Sequence, residues 1–115
     1  MKIIVFGANG KTGRIVTEKA LENGHHITAF VRDCSKLTLD HPNLNIVEGQ
    51  ATKAEDVTSA MVGHDLVISC LGSDKGMGKT TALHEMTKNI VAAMKKHDVN
   101  RILYMASAGI DKEIP

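Results

Sequence analysis

An open α/β sheet, parallel and covered by helices on both faces, is the fold class this sequence predicts. Two observations carry it. Short β-branched runs alternate with segments of helical apolar spacing along the chain, and the first run ends in a glycine-rich turn that opens the first helix. A composition of 43% hydrophobic and 23% charged residues in 115 residues fits one domain spanning 1–115. A chain of that length buries about two-thirds of the surface its unfolded form exposes, enough for a core. The formal net charge of +1 supplies no field to attract nucleic acid or an anionic membrane, so neither is expected as a partner.

Lys2 to Phe6 is a continuous apolar run bounded by Gly7, too short for a helix and suited to a strand buried on both faces. Lys11 to Asn23 follows as a helix, with Ile15, Val16, Ala20 and Leu21 recurring at helical spacing and Asn23-Gly24 as its stop. His26 to Val31 reads as the second strand. After a turn-rich stretch holding Pro42, Leu44 to Glu48 reads as the third. Thr52-Lys53-Ala54-Glu55 has the pattern of a capping box, and the helix it starts runs through Val57, Ala60 and Met61 to Gly63. Asp65 to Cys70 is the fourth strand. A glycine-rich stretch, Gly72 to Gly78, leads into a helix over Thr81 to His97 with Leu83, Met86, Ile90, Val91 and Met94 on one face. Arg101 to Met105 is the fifth strand.

Right-handed crossovers between parallel strands then give a Rossmann-type sheet of order 3-2-1-4-5. The sequence stops at Asp111-Lys112-Glu113-Ile114-Pro115, so the C-terminal part of the full fold, including a sixth strand, is expected to be lacking. The fifth strand would then present an unpaired edge, and self-association into a homo-oligomer through that edge is the expectation. The apolar run Ile3 to Phe6 is too short for a signal peptide or a membrane span, which points to a cytoplasmic setting. Cys34 and Cys70, in a loop and at a strand end, form no C-x-x-C and are expected to be thiols.

Ligands of such sheets bind beyond the carboxyl ends of the strands, where strand order reverses. Five segments fall there: Gly7 to Gly13, Arg32, Gly49-Gln50, Cys70-Leu71-Gly72 and Ala106-Ser107-Ala108. Gly7-Ala8-Asn9-Gly10-Lys11-Thr12-Gly13 spaces its glycines as G-x-x-G-x-x-G, which allows a tight turn, close approach of a pyrophosphate and close helix packing. The helix N-terminus that follows is an anion site. Arg32, at the end of the second strand, suits the 2′-phosphate of NADP(H). The competing reading makes Arg32 a loop charge and Asp33 a ribose ligand, with NAD(H) as the cofactor. Lys11 and Arg14 either add positive potential or are solvated helix residues.

Gly7 to Arg14, then Ala29-Phe30-Val31-Arg32-Asp33, then Gly63 to Gly72, then Arg101 to Gly109 together resemble the cofactor domain of atypical short-chain dehydrogenase/reductases. Within that superfamily the pattern is most similar to the NmrA-like and the flavin and biliverdin reductase-like NAD(P)-binding proteins. The resemblance implies that Gly7, Asn9, Gly10, Thr12 and Gly13 line the pyrophosphate and Arg32 the adenosine phosphate. It places Leu71 and Gly72 at the central ribose, and Ala106 and Ser107 on the nicotinamide side. The superfamily's Tyr-x-x-x-Lys is absent, since Ala108 stands four residues after Tyr104, so Tyr104 is expected to be a strand residue with a packed ring. Ser107 is the remaining candidate catalytic residue, with a turn or capping role as the alternative.

Other chemistries find less support. The six histidines form no metal-ligand pattern, so no metal is expected, and Cys70 reads as a small buried residue. Gly72 to Thr80 ends in Gly-Lys-Thr like a P-loop, but five residues rather than four separate its outer glycines. The expectation is therefore the NADP(H)-binding domain of an oxidoreductase that passes hydride to a small carbonyl, quinone or flavin-like substrate. Two alternatives stand beside it: a non-catalytic NAD(P)-binding redox sensor or interaction module, and a cofactor-binding fragment of a longer reductase.

Overall fold

The computed structural model describes residues 1–71 and 80–104. The elements alternate as the apolar runs predict: β1 Lys2–Phe6, α1 Lys11–Glu22, β2 His26–Val31, a 3₁₀ turn Cys34–Lys36, β3 Leu44–Glu48, α2 Ala54–Met61, β4 Leu66–Ser69, α3 Thr80–Lys96 and β5 Ile102–Tyr104. All strand pairs are parallel and the sheet order is β3-β2-β1-β4-β5. β1 is buried from Ile3 to Phe6 because it lies at the centre with a helix layer on either side.

Strand alternation sorts the core into two halves. Ile4, Phe6 and Phe30 face Val57 and Met61 of α2 and Met86, Ile90, Ala93 and Met94 of α3. Ile3, Val5, Ile27, Ala29 and Val31 face the other way, onto Leu21 of α1 and onto Leu37. Each large apolar side chain so buried contributes on the order of 1.5–3 kcal/mol, and the central strands supply most of them. Among the described residues no helix is long and apolar enough to cross a membrane.

The structure corrects several expectations. α1 buries Thr12, Gly13, Thr17 and Leu21, whereas Ile15 is 44% exposed. At 100° per residue Ile15 lies off the stripe that those positions define, so the glycine-led face wins over the apolar residue. α2 begins at Ala54 with Lys53 at its N-cap and no side-chain cap, so the Thr52 capping box does not form. β4 is shorter than its expected span, and β5 starts at Ile102 rather than Arg101. Val91 of α3 is only partly buried, while Leu83 and Met105 fall outside the residues whose side chains are described. Tyr104 is 51% exposed and Leu103 50%, so Tyr104 is a half-exposed strand residue. Its strand pairs with β4 on one side and lies at the margin of the described sheet.

Candidate functional site

The registers bring the strand ends level. Phe6 is paired with Phe30 and with Ser69, Val31 with Glu48, and Ser69 with Tyr104. The residues that follow, Gly7, Arg32, Gly49 and Cys70, therefore share one end of the sheet, with β1 and β4 flanking the point where strand order reverses.

Gly7 turns the chain out of β1 with φ +79°, a conformation L side chains rarely adopt. A Cβ there would sit 3.1 Å from the Cys70 carbonyl carbon and oxygen and 3.3 Å from the Leu71 amide nitrogen. Leu71 is thus held against the turn. Gly13 is tighter still: a Cβ would overlap the Gly7 carbonyl oxygen and lie 2.8 Å from the Ala8 Cα. The first turn of α1 packs directly on the loop backbone, which only glycine permits.

Two hydrogen bonds fix the curve, Gly10 N–H to Gly7 O at 3.1 Å and Arg14 N–H to Gly10 O at 2.9 Å. Gly10 is the N-cap of α1 and offers no side chain to the first amides, and no acidic residue stands in the first turn. The amides of Lys11, Thr12 and Gly13 thus open the helix at its positive end without a protein cap. Asn9 and Gly10 are partly buried, Thr12 and Gly13 are buried, and Lys11 is exposed. Such a turn fits the pyrophosphate of a dinucleotide: the backbone is bare where a Cβ would fill the cradle, and the dipole favours negative charge.

Arg32 is exposed at the end of β2. Asp33 behaves differently. Its Oδ1 accepts from the Ser35 amide at 3.1 Å and from the Ser35 hydroxyl at 2.7 Å, capping the 3₁₀ turn. The carboxylate is engaged by its own turn while the guanidinium beside it stays in solvent.

The loop after β3 is stapled down by side chains that sequence reading does not single out. The Gly49 amide donates to Val31 O at 2.9 Å, the Gln50 amide to Asp56 Oδ2 at 3.0 Å, and Asn89 Nδ2 to Ala51 O at 2.9 Å. A Cβ on Gly49 would meet Phe30 Cζ at 3.0 Å, and Phe30 in turn tilts against Phe6 with ring centroids 4.9 Å apart. Asp56 and Asn89 lie 6 and 38 residues from their partners, so no local motif announces Asn89.

Cys70 is buried, and burial pushes its thiol up to about 11, away from any role as a nucleophile. Cys34 is exposed, and its hydrogen bond to Glu48 Oε1, 3.5 Å away, is the main cause raising its pKa. Gly72, Ala106, Ser107, the P-loop-like stretch up to Lys79 and the Ala108 position lie outside the described residues. The structure thus brings together Gly7, Asn9, Gly10, Lys11, Thr12, Gly13 and Leu71 around one turn, with Arg32 at the end of the adjacent strand. Among the described residues no group of three His, Cys, Asp or Glu side chains could hold a metal ion. A cavity of about 410 Å³ opens at the opposite end of the sheet, bordered by Lys2, His26, Asn43 and His64. There His64 Nε2 is 2.8 Å from Thr28 Oγ1.

Residues 7–115 match the model of a family described as NAD(P)H-binding. The chain is 32% identical to a 3-beta-hydroxysteroid dehydrogenase of Mycolicibacterium neoaurum, across 95% of its own length and 32% of that protein's. It is 25% identical to a 2-alkyl-3-oxoalkanoate reductase of Stenotrophomonas maltophilia, across 96% of its own length and 34% of that protein's. A solved Rossmann-fold NAD(P)-binding family protein from Shigella flexneri superposes with a TM-score of 0.72 at 26% identity, covering 88% of this chain and 49% of that one. The chain therefore spans about a third of the length of these two curated relatives.

Proposed function

Because the chain belongs to the NAD(P)H-binding family, we propose that it is the NADP(H)-holding domain of an oxidoreductase that reduces a small carbonyl, quinone or flavin-like substrate. Hydride transfer is the chemistry the nicotinamide supplies when bound. The chain's own contribution is to bind and orient. Gly7, Asn9, Gly10, Thr12 and Gly13 take the pyrophosphate on bare backbone and on the positive end of α1, with Lys11 adding positive potential at the rim. The family resemblance assigns Leu71 and Gly72 to the central ribose and Ala106 and Ser107 to the nicotinamide side, with Ser107 the candidate polar group beside the substrate. The names of the steroid dehydrogenase and the oxoalkanoate reductase support a carbonyl–hydroxyl couple as the substrate chemistry.

The preference for NADP(H) rests on one observation: at the end of β2, Arg32 is exposed while Asp33 is turned onto Ser35. A 2′-phosphate gains charge-assisted hydrogen bonds from a guanidinium, and a ribose hydroxyl would have to compete with Ser35 for the carboxylate. Titration with NADPH and NADH, followed by cofactor fluorescence, tests this. Arg32→Ala is expected to weaken NADPH by about ten- to a hundredfold, the loss of one charged hydrogen-bonding partner, and to leave NADH nearly unchanged. Equal losses for the two cofactors would remove Arg32 from the phosphate and return NAD(H) as the cofactor.

A second reading is a dinucleotide-binding sensor or interaction module that does not turn over. NADPH oxidation against a panel of quinones, flavins and aldehydes separates the two. Tight binding without oxidation selects the sensor.

A further inference from the structure

A dinucleotide lying across this sheet end has its pyrophosphate at β1 and its adenosine on the β2 side, so the adenine ring extends toward the end of β3. The segment that follows β3 is Gly49-Gln50-Ala51, which on that reading would stand beside the adenine. Loops in that position are ordinarily held by little, being surface connections. This one is tied at each residue: Gly49 to Val31 of β2, Gln50 to Asp56 of α2, and Ala51 to Asn89 of α3.

The third tie differs in kind. Val31 and Asp56 belong to the strand and helix that neighbour the loop, whereas Asn89 stands on the helix after β4, beyond the point where strand order reverses. Its amide donates to Ala51 O at 2.9 Å, and both residues are shielded from solvent, Ala51 at 9% exposure and Asn89 partly buried. Asn89 is one residue from Ile90, which is 1% exposed in the core, so the side chain projects from a part of α3 anchored by packing. A hydrogen bond from a fixed helix to a buried carbonyl leaves that carbonyl little freedom, because losing the bond strands an acceptor without water.

We infer that Asn89 is a positioning residue for the adenosine half of the cofactor: its amide holds Ala51, and through Ala51 the Gly49–Gln50 wall, in the binding conformation. This rests on the dinucleotide reading given above. Asn89 touches no cofactor atom itself; it acts through the loop. Preorganising a wall spares the ligand the ordering of that loop on binding, so releasing it appears as weaker affinity for whatever the wall contacts.

The experiment uses NADPH and adenosine 2′,5′-bisphosphate as probes, with the protein, Asn89→Leu and Asn89→Asp held well below their melting temperatures. Both substitutions keep the branched shape and heavy-atom count of asparagine and remove the amide donor, and the smaller Asn89→Asp serves if Asn89→Leu does not fold. The expected result is a loss of about tenfold in affinity for NADPH, with the same factor for the bisphosphate, since the affected contacts lie in the part both ligands share. Faster amide exchange at Lys53, whose N–H bonds to Gln50 O at 3.0 Å, should accompany it. Unchanged affinities alongside a lower melting temperature would make Asn89 a packing residue and overturn the proposal. So would a loss for NADPH that the bisphosphate does not share. If the unmodified protein binds neither probe, the dinucleotide reading itself fails, an outcome distinct from the other two.

Discussion

The two strand-to-helix turns on the β1–β2–β3 side of the sheet are held rigid by opposite means. The turn between β1 and α1 has lost side chains: Gly7 and Gly13 let backbone pack on backbone, and the opening amides of α1 receive no side-chain cap. The turn between β3 and α2 has gained them: Asp56 caps the Gln50 amide and Asn89 holds the Ala51 carbonyl. The first leaves hydrogen-bonding capacity unspent and directed outward, which suits a charged pyrophosphate. The second spends its capacity internally and presents a settled surface, which suits a flat base. On the proposed reading, one sheet end thus offers an anion cradle and an adenine wall side by side.

Substituting Gly13 is the severest way to break this contrast. Its Cβ would overlap the Gly7 carbonyl oxygen, an atom of the backbone that no rotamer change can move aside. Gly13→Ala should cost about 3 kcal/mol or more in chemical denaturation, at the upper end of overpacking penalties, and should abolish NADPH binding in whatever fraction folds. A variant of normal stability would mean that α1 can slide off the loop, and that the cradle is not rigid.

Asp56→Ala acts on the other turn and should be milder. It removes the acceptor of the Gln50 amide and an acidic group from the first turn of α2, each worth about 1 kcal/mol or less. The expected loss is about 1–2 kcal/mol, with accelerated amide exchange confined to Gln50 and its neighbours. Spread of that exchange to Gly10 or Arg14 would show that the two turns are not separately held.

The asymmetry also explains what could be read from sequence. β1 and β2 end where their apolar runs end, because both are buried up to their last residues, Phe6 and Val31; β3, an edge strand with Asn45 and Glu48 exposed, takes its limits from its pairing with β2. β4 falls one residue short at each end: the Asp65 and Cys70 amides still bond to Lys2 O and Phe6 O, at 2.8 Å and 2.9 Å, but fall outside the strand. The glycine spacing of the first turn was legible because close backbone contact demands glycine. The second turn was not, since its key contact joins residues 38 apart that no local pattern links. The capping box at Thr52 failed for a related reason. Asp56 satisfies Gln50 and Asn89 holds Ala51, which keeps residues 50–53 in a turn and delays the helix to Ala54. On α1, apolar spacing chose Ile15, but the close approach at Gly13 fixes which face meets the sheet, and Thr12 and Thr17 are buried instead.

The smallest expected effect reads out the first turn without altering it. Cys70 is 3% exposed, and its backbone lies under Gly7, whereas Cys34 is exposed on the loop after β2. At pH 8 an alkylating reagent should modify Cys34, slowly because the Glu48 carboxylate opposes its thiolate, and should reach Cys70 only through local opening or unfolding. Equal labelling of both thiols in the native protein would contradict the packing at the end of β4. Burial raises the folded-state value of Cys70 from 9.0 to about 11, so the unfolded chain gives up this proton first as pH climbs. The associated stability is therefore complete below the unfolded value and declines as pH rises from there through the folded value. Because the Gly7 turn rests on the Cys70 carbonyl, the labelling rate of Cys70 also counts how often that turn lifts from β4. A ligand seated in the cradle should hold the turn down, so NADPH at saturating concentration should slow Cys70 labelling while leaving unfolding-independent labelling of Cys34 unchanged.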